Sequence, residues 1–272
     1  DVYCFQEFYH QDQSSNFQTK NEMIRFSVEE SEFFGIKIGR ADATNFLLEE
    51  FEDSIIRDGF DVVRIRVDES DSQTISQLQL LPYSYYDYGT IIKYELPVAG
   101  LTYSDYLNPE VTLKVYDGSA SASDSVKRII VGGIAQNPIG YWSTPGLESF
   151  ISRDNEVEYL SEYYSNHYIT PEKQLWFIQW NGTPVGFVAN NFENGVMDTP
   201  LAVVLPEYRG KKLLHEIMIS RNNYGIKHGL RLITNGARAN NEASQHVFTK
   251  FGMQDIGQDK VYHILPMLSK DS

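Results

Sequence analysis

One order of elements, helix–strand–helix–strand, is written twice in this chain of 272 residues. In the first copy, "ADATNFLLEEFEDSIIRD" (41–58) sets Leu47, Leu48, Phe51 and Ile55 on one helical face, and Gly59 follows as a stop. "FDVVRIRVD" (60–68) alternates Val63, Ile65 and Val67 with Arg64 and Arg66, the period of a half-buried strand. A short helix over 72–81 and a strand over 89–97 complete the copy. The second copy opens with a helix over 213–229, with Leu214, Ile217 and Met218 inward. Lys227 and His228 lie in its last turn, where cations suit the helix dipole, and Gly229 ends it. A strand over 230–236 leads to a helix over 241–252, capped by Asn240 or Asn241, with Ala243, Val247, Phe248 and Phe251 inward. A strand over 259–267 closes the copy.

A fuller set of elements precedes the second copy. Strand 110–117 is followed by a helix over 121–135 and another over 153–169. Two strands, 174–180 and 183–192, are joined by Asn181-Gly182, a strong hairpin signal. A strand over 195–205 then leads to the second copy. Residues 106–272 therefore read β-α-α-β-β-β-α-β-α-β, and the polar stretch 100–110 is the junction with what precedes. The expected domains are 1–105, a partial unit, and 106–272, a complete one.

Net charge is −14 and the sequence pI about 4.8. Nucleic acids and anionic membranes call for a positive field, so neither is an expected partner, and any anion site must be local. Cys4 is the one cysteine, which precludes an intrachain disulfide and suits a reducing cytoplasm. The longest strongly apolar run, "IIVGGIA" (129–135), is too short to span a bilayer. No basic-then-apolar leader opens the chain. It lacks an initiator Met, which reads as a trimmed or tagged start across the first twenty residues.

The stretch "VLPEYRGKKLLHEIM" (204–218) holds the chemistry. Pro206 ends the strand at Leu205, Gly210 permits a tight turn, and a helix starts near Lys211 or Lys212. The first amides of a helix have no helical acceptor, and with the partial positive charge of the helix end they make an anion seat. Arg209, Lys211 and Lys212 add charge there. The sequence lacks G-x-x-x-x-G-K-[ST] and G-x-G-x-x-G, which excludes a Walker A loop and a dinucleotide fingerprint.

Taken with "NEASQHVFTKFGM" (241–253), this stretch resembles the GNAT N-acetyltransferase superfamily over roughly residues 106–272. That family's acyl-CoA loop runs V-x-P-x-x-[QR]-x-x-G-x-[GA], and Val204, Pro206 and Arg209 match it. Lys212 stands at the first loop glycine and Leu214 at the second small residue. In the later helix, N-x-x-A-x-x-x-Y-x-K-x-G-F, residues Asn241, Lys250 and Gly252 match. Ser244, Phe248 and Met253 replace Ala, Tyr and Phe. The resemblance implies a GNAT fold, a central mixed, mostly antiparallel sheet flanked by helices. It also implies acyl-CoA (acetyl-CoA or a longer acyl chain) as cosubstrate, with no metal.

"ESEFFGIKIGRA" (30–41) and the elements after it resemble the truncated N-terminal half of dTDP-fucosamine N-acetyltransferases and related dTDP-amino-sugar N-acyltransferases. The implied reaction is acyl transfer from a CoA thioester to the primary amine of a dTDP-linked amino sugar. The alternatives are another small-molecule or protein amine, or a non-catalytic acyl-CoA-binding module. A homodimer is the default assembly.

The implied cofactor-binding residues are Val203, Val204, Leu205, Arg209, Gly210, Lys211, Lys212, Leu213, Leu214, Asn241 and Phe248. A main-chain amide from Val203 to Leu205, Val204 first, is expected to bond the thioester carbonyl. Lys212 is expected to keep an ordinary helical φ, and Leu214 either to crowd the pantetheine or to turn into the core. Asp198 is the candidate base, six residues before Val204 and so placed on the same face by strand alternation. Phe248 has no proton to give the leaving thiolate. His246, Tyr262 and His263 lie nearby in sequence, and water is the other proton source. The tyrosine-rich "YSYYDYG" (83–89) reads as a turn or as an aromatic pocket lining, and "YYSNHYI" (163–169) falls where acceptor-site residues lie in the superfamily.

Overall fold

The computed structural model describes residues 23–43, 46–134 and 146–269. Cys4 and the opening twenty residues lie outside these. The chain forms two compact units, interleaved in sequence. Among the described residues the larger holds 92–134 and 157–256, and the smaller holds 23–43, 46–91, 146–156 and 257–269.

The smaller unit starts with β1 (Ile24–Phe26), α1 (Val28–Phe34) and β2 (Ile38–Asp42), then α2 (Leu48–Asp58), β3 (Val62–Asp68) and α3 (Ser72–Leu78). β1 pairs antiparallel with β2, and β2 runs parallel to β3, as a strand–helix–strand crossover requires. The second helix begins later than its apolar pattern implied. Ala41 and Asp42 belong to β2, and Leu47 is the N-cap residue, 54% exposed, while Phe51 and Ile55 are buried. Asp71 caps α3 by accepting from the Thr74 amide.

β4 (Tyr83–Pro97) is longer than expected. The tyrosine run 83–89 is strand rather than turn, with Tyr85 edge-on to Tyr262 and Tyr88 stacked on His263. The last strand, β10 (Gln254–Ser269), pairs antiparallel with β3 from Asp259↔Asp68 to Ile264↔Val63. Tyr262 and Ile264 thereby join Phe51, Ile55, Val63 and Ile65 in one core.

In the larger unit the order is β5 (Val111–Val115), α4 (Ala120–Ile134), α5 (Arg153–His167), β6 (Lys173–Trp180), β7 (Thr183–Glu193), β8 (Val196–Val204), α6 (Leu213–His228), β9 (Leu232–Arg238) and α7 (Glu242–Lys250). α5 enters this unit at Val157. β5 to β8 pair antiparallel in sequence order, and β9 adds to β8 in parallel. Asn181 and Gly182 both take positive φ in the β6–β7 turn.

Two apolar layers cover the sheet. Leu175, Phe187, Ala189, Leu201 and Val203 pack under α4 and α5. Val188, Ala202 and Val204 pack under α6 and α7 with Leu213, Leu214, Ile217, Met218 and Phe248. This is the mixed, mostly antiparallel sheet with flanking helices that the sequence led us to expect.

Candidate active site: a forked pair of strands above a turn of open amides

β8 and β9 are paired only from Val196↔Leu232 to Thr199↔Asn235. The next residue of β8 is Pro200, which has no N–H to give, so the ladder stops there. On the other side of β8 the pairing runs Ala189↔Leu201 and then Asn191↔Asp198, so β8 carries one extra residue, a bulge. Beyond it β8 continues to Val204 and β9 to Arg238 without pairing to each other.

Arg221 ties the two strands together below this fork. It is 1% exposed, donates to Asn235 Oδ1 (2.5 Å), and reaches the carbonyls of Met197 and Thr234 (both 3.2 Å). Burial pulls its pKa down to about 9, and the Asp198 carboxylate opposes that shift, so the guanidinium stays charged at neutral pH.

The bulge overturns one expectation. Met197 lies in the core under α6 and α7, as do Ala202 and Val204, although simple alternation would put an odd-numbered residue on the other face. Asp198 therefore faces the α4–α5 side, opposite Val204 rather than beside it. There it accepts a hydrogen bond from Thr234 Oγ1 at 2.7 Å.

The main-chain directions of β8 follow from one bond. Leu205 donates to Val185 O at 2.9 Å, so by antiparallel alternation the amides of Leu201, Val203 and Leu205 face β7. Those of Ala202 and Val204 face the fork. Val204 lies about 20 Å along the strand from Asp198 at the usual rise. Its carbonyl also takes a hydrogen bond from Arg209 Nε at 3.3 Å. Ala202, which the sequence reading passed over, has the first fork-facing amide past the bulge. Pro200 was the signal for it.

A short 3-10 turn, Pro206–Tyr208, leads into the loop. Arg209 does not project as a free cation. Its guanidinium also donates to Gly133 O at 3.1 Å, so it joins the loop to β8 and to the end of α4. Lys211 Nζ sits over two rings, 4.6 Å from the centroid of Tyr208 and 4.8 Å from that of Trp180.

Lys212 takes φ 62°, ψ 22° as the N-cap of α6. That is left-handed backbone, not the ordinary helical φ expected, and it explains why a glycine suits this position. Leu213 and Leu214 are each 2% exposed and point into the core, the second of the two outcomes foreseen for Leu214. His215 and Glu216 both return their amides to Lys212 O. Among the described residues no main-chain carbonyl takes the amides of Gly210, Lys211 or Lys212, and Leu213 and Leu214 are the first helical residues, whose amides have no acceptor within the helix.

Two lysines, Lys212 and Lys250, lie near His215 in the first turn of α6. The His215 imidazole has its pKa lowered, first by burial and then by Lys250, Lys212 and His246 around it. Asn241 caps α7 by accepting from the Ser244 amide at 3.2 Å. Phe248 is wholly buried and edge-on to Tyr94, so it takes part in the core and offers no face to a ligand. Tyr262 and His263 are likewise in the core of the smaller unit. Among the described residues no three His, Cys, Asp or Glu side chains come together to hold a metal, and no helix is long and apolar enough to cross a membrane.

Comparison with known proteins agrees with this geometry. Residues 144–253 match the model of the acetyltransferase (GNAT) family. This segment is a GNAT acetyltransferase segment. Proteins of that family are N-acyltransferases that use acetyl-CoA or another acyl-CoA.

Solved structures that share the fold include the following three. One is a functionally unknown conserved protein from Staphylococcus epidermidis, at 12% identity and TM-score 0.62, covering 92% of each chain. A GCN5-related N-acetyltransferase from Sphaerobacter thermophilus aligns over 79% of this chain and 65% of its own, at 10% identity and TM-score 0.53. The tandem GNAT protein from the clavulanic acid biosynthesis pathway aligns over 83% and 74%, at 11% identity and TM-score 0.52. A search of curated proteins finds no match.

Proposed function

We propose that this N-acyltransferase moves an acyl group from acyl-CoA to the primary amine of a dTDP-linked amino-dideoxy sugar. The observation that carries the acyl-CoA half is the strand fork beside a turn whose amides have no main-chain acceptor among the described residues. The amides of Gly210 to Leu214 and the cations around His215 would take the diphosphate and phosphate of the coenzyme. The pantetheine would lie along the fork. A mostly core-facing row of side chains at Val203, Leu213 and Leu214 leaves recognition in this stretch to the main chain.

In the reaction the neutral amine attacks the thioester carbon. A C–N bond forms, the C–S bond breaks, and the carbonyl oxygen gains charge in between. We assign its stabilisation to the Ala202 amide in place of Val204, because it lies nearer Asp198 and on the fork side. A preorganised donor of this kind is worth about 10²–10³ in rate. Asp198 takes the amine proton directly or through water, and the thiolate leaves with a proton from water.

The two-part layout of the chain supports a nucleotide-sugar acceptor, and a homodimer in the cytoplasm belongs to the same proposal. The tandem relative comes from a small-molecule biosynthesis pathway, which favours a small soluble acceptor over a protein amine. The test is release of free thiol from acetyl-CoA with a panel of dTDP-amino sugars, simple amines and peptides, beside calorimetry with CoA alone. Heat without thiol release for any amine makes the protein a binding module. No heat at millimolar CoA removes the proposal.

A further inference from the structure

The face of the sheet that Asp198 occupies carries a polar row. Lys173 on β6 is in register with Asn191 on β7, Asn191 with Asp198 on β8, and Asp198 with Thr234 on β9. The neighbouring row, Leu175, Ala189 and Leu201, is apolar and belongs to the core under α4 and α5. Four polar residues thus border that core in line across four strands. Lys173 Nζ lies 5.9 Å from the Tyr163 ring centroid on α5.

Within the row, Thr234 is committed to Asp198 Oδ1. Asn191 is not committed to anything. It is 3% exposed, and both its Oδ1 and its Nδ2 are buried with no hydrogen-bond partner among the described residues. A buried amide left without partners costs stability, so a carboxamide kept this way beside the half-buried Asp198 calls for an external partner. That partner must offer a donor and an acceptor close together, because the carboxamide presents both in one plane.

We infer that Asn191 positions the acceptor and selects a vicinal amino alcohol. The amine donates to Asn191 Oδ1 and to Asp198, and the oxygen on the adjacent carbon accepts from Asn191 Nδ2. This rests on the acyl-transfer reading above and narrows its acceptor to amines flanked by a hydroxyl, as on a sugar ring. Asn191 is a positioning residue: it holds the nitrogen in line and takes no proton.

The test compares trans-2-aminocyclohexanol with cyclohexylamine, which differ by one hydroxyl, as acceptors for acetyl-CoA. Wild type is expected to favour the amino alcohol by about tenfold or more in kcat/KM, since a site built for a hydroxyl rejects its absence. Asn191→Leu removes both polar atoms at similar volume. It is expected to bring the ratio near one through KM, with CoA affinity by calorimetry unchanged within about twofold. A structural asparagine would lower the melting temperature of the variant and leave the ratio unmoved, which overturns the inference, as does a wild type without preference. Binding of the two amines followed by NMR, on wild type and Asn191→Leu, gives the same comparison without acyl-CoA. A preference lost in the variant upholds the site even if acyl transfer fails, and no preference there removes it whatever the transfer assay shows.

Discussion

Asp198 and Val204 face opposite sides of β8 although six residues separate them. The extra residue at the bulge breaks the two-residue period and turns Asp198 toward Thr234, on the face away from α6 and α7. If Asp198 is the base, Asp198→Asn lowers kcat about 10²–10⁴-fold and leaves CoA affinity nearly unchanged. The same change also removes the charge that offsets the burial of Arg221, so a fall in melting temperature accompanies it. Steady-state rates, CoA calorimetry and thermal melts on one preparation separate these effects. Unchanged turnover from pH 6 to 9 discards the base role.

The loop makes a separate claim, that main-chain amides rather than the Lys212 amine grip the coenzyme. Lys212 has φ 62°, a conformation that costs a non-glycine residue about 1 kcal/mol. Lys212→Gly is expected to keep stability within about 1 kcal/mol of wild type, because relief of strain offsets the added entropy of the unfolded chain. CoA affinity is expected to fall less than about fivefold, the scale of one exposed helix-end charge. A loss of a hundredfold would make the amine, not the amides, the main contact.

Arg209 matches the family's loop in sequence, yet its guanidinium bonds to Val204 O and Gly133 O. Arg209→Gln therefore lowers stability by about 1–3 kcal/mol, the cost of leaving carbonyls without a charged donor. The slope of CoA affinity against salt is expected to stay as in wild type, since no phosphate contact is lost. Chemical denaturation and calorimetry at several salt concentrations check this. A shallower salt slope would show that Arg209 reaches the phosphate.

His215 offers a direct reporter of anion binding. Its pKa lies below the ordinary value through burial and through Lys250, Lys212 and His246. A phosphate bound among these groups favours the imidazolium, so the His215 pKa rises when CoA is added. The proton NMR titration of His215, with and without CoA, measures it, and His228, at the far end of α6, serves as the control. No upward movement at saturating CoA places the phosphates elsewhere.

Most elements were legible because their signals are local. Apolar period, Gly59 and Gly229 as stops, Asn241 as a cap and Asn181-Gly182 as a turn each act within a few residues. What was missed depends on distant partners. Leu47 fits the helical period of its neighbours, but β2 runs to Asp42 and the helix starts only at Leu48. Tyr83 to Gly89 look like a turn until Tyr262 and His263 on β10 stand beside Tyr85 and Tyr88. The face of Asp198 depended on a bulge that shows only in the pairing with β7. The roles of Arg209 and Phe248 depended on Gly133 and Tyr94, more than seventy residues away in each case.

His263 ties stability to pH in the smaller unit. It is wholly buried, stacked on Tyr88 and in register with Arg64, and burial, with Arg64 second, lowers its pKa to about 3. The folded protein thus holds this imidazole neutral, while the unfolded chain protonates it near 6.5. Below about pH 6.5 the unfolded state binds the extra proton, so stability falls as pH falls, down to about pH 3. The slope from this one group approaches about 1.4 kcal/mol per pH unit. His263→Phe keeps a ring against Tyr88 and removes the proton site. Denaturant unfolding at pH 7, 6, 5 and 4 should show a shallower loss for the variant than for wild type. Parallel curves would mean that His263 does not contribute to the acid sensitivity of the fold.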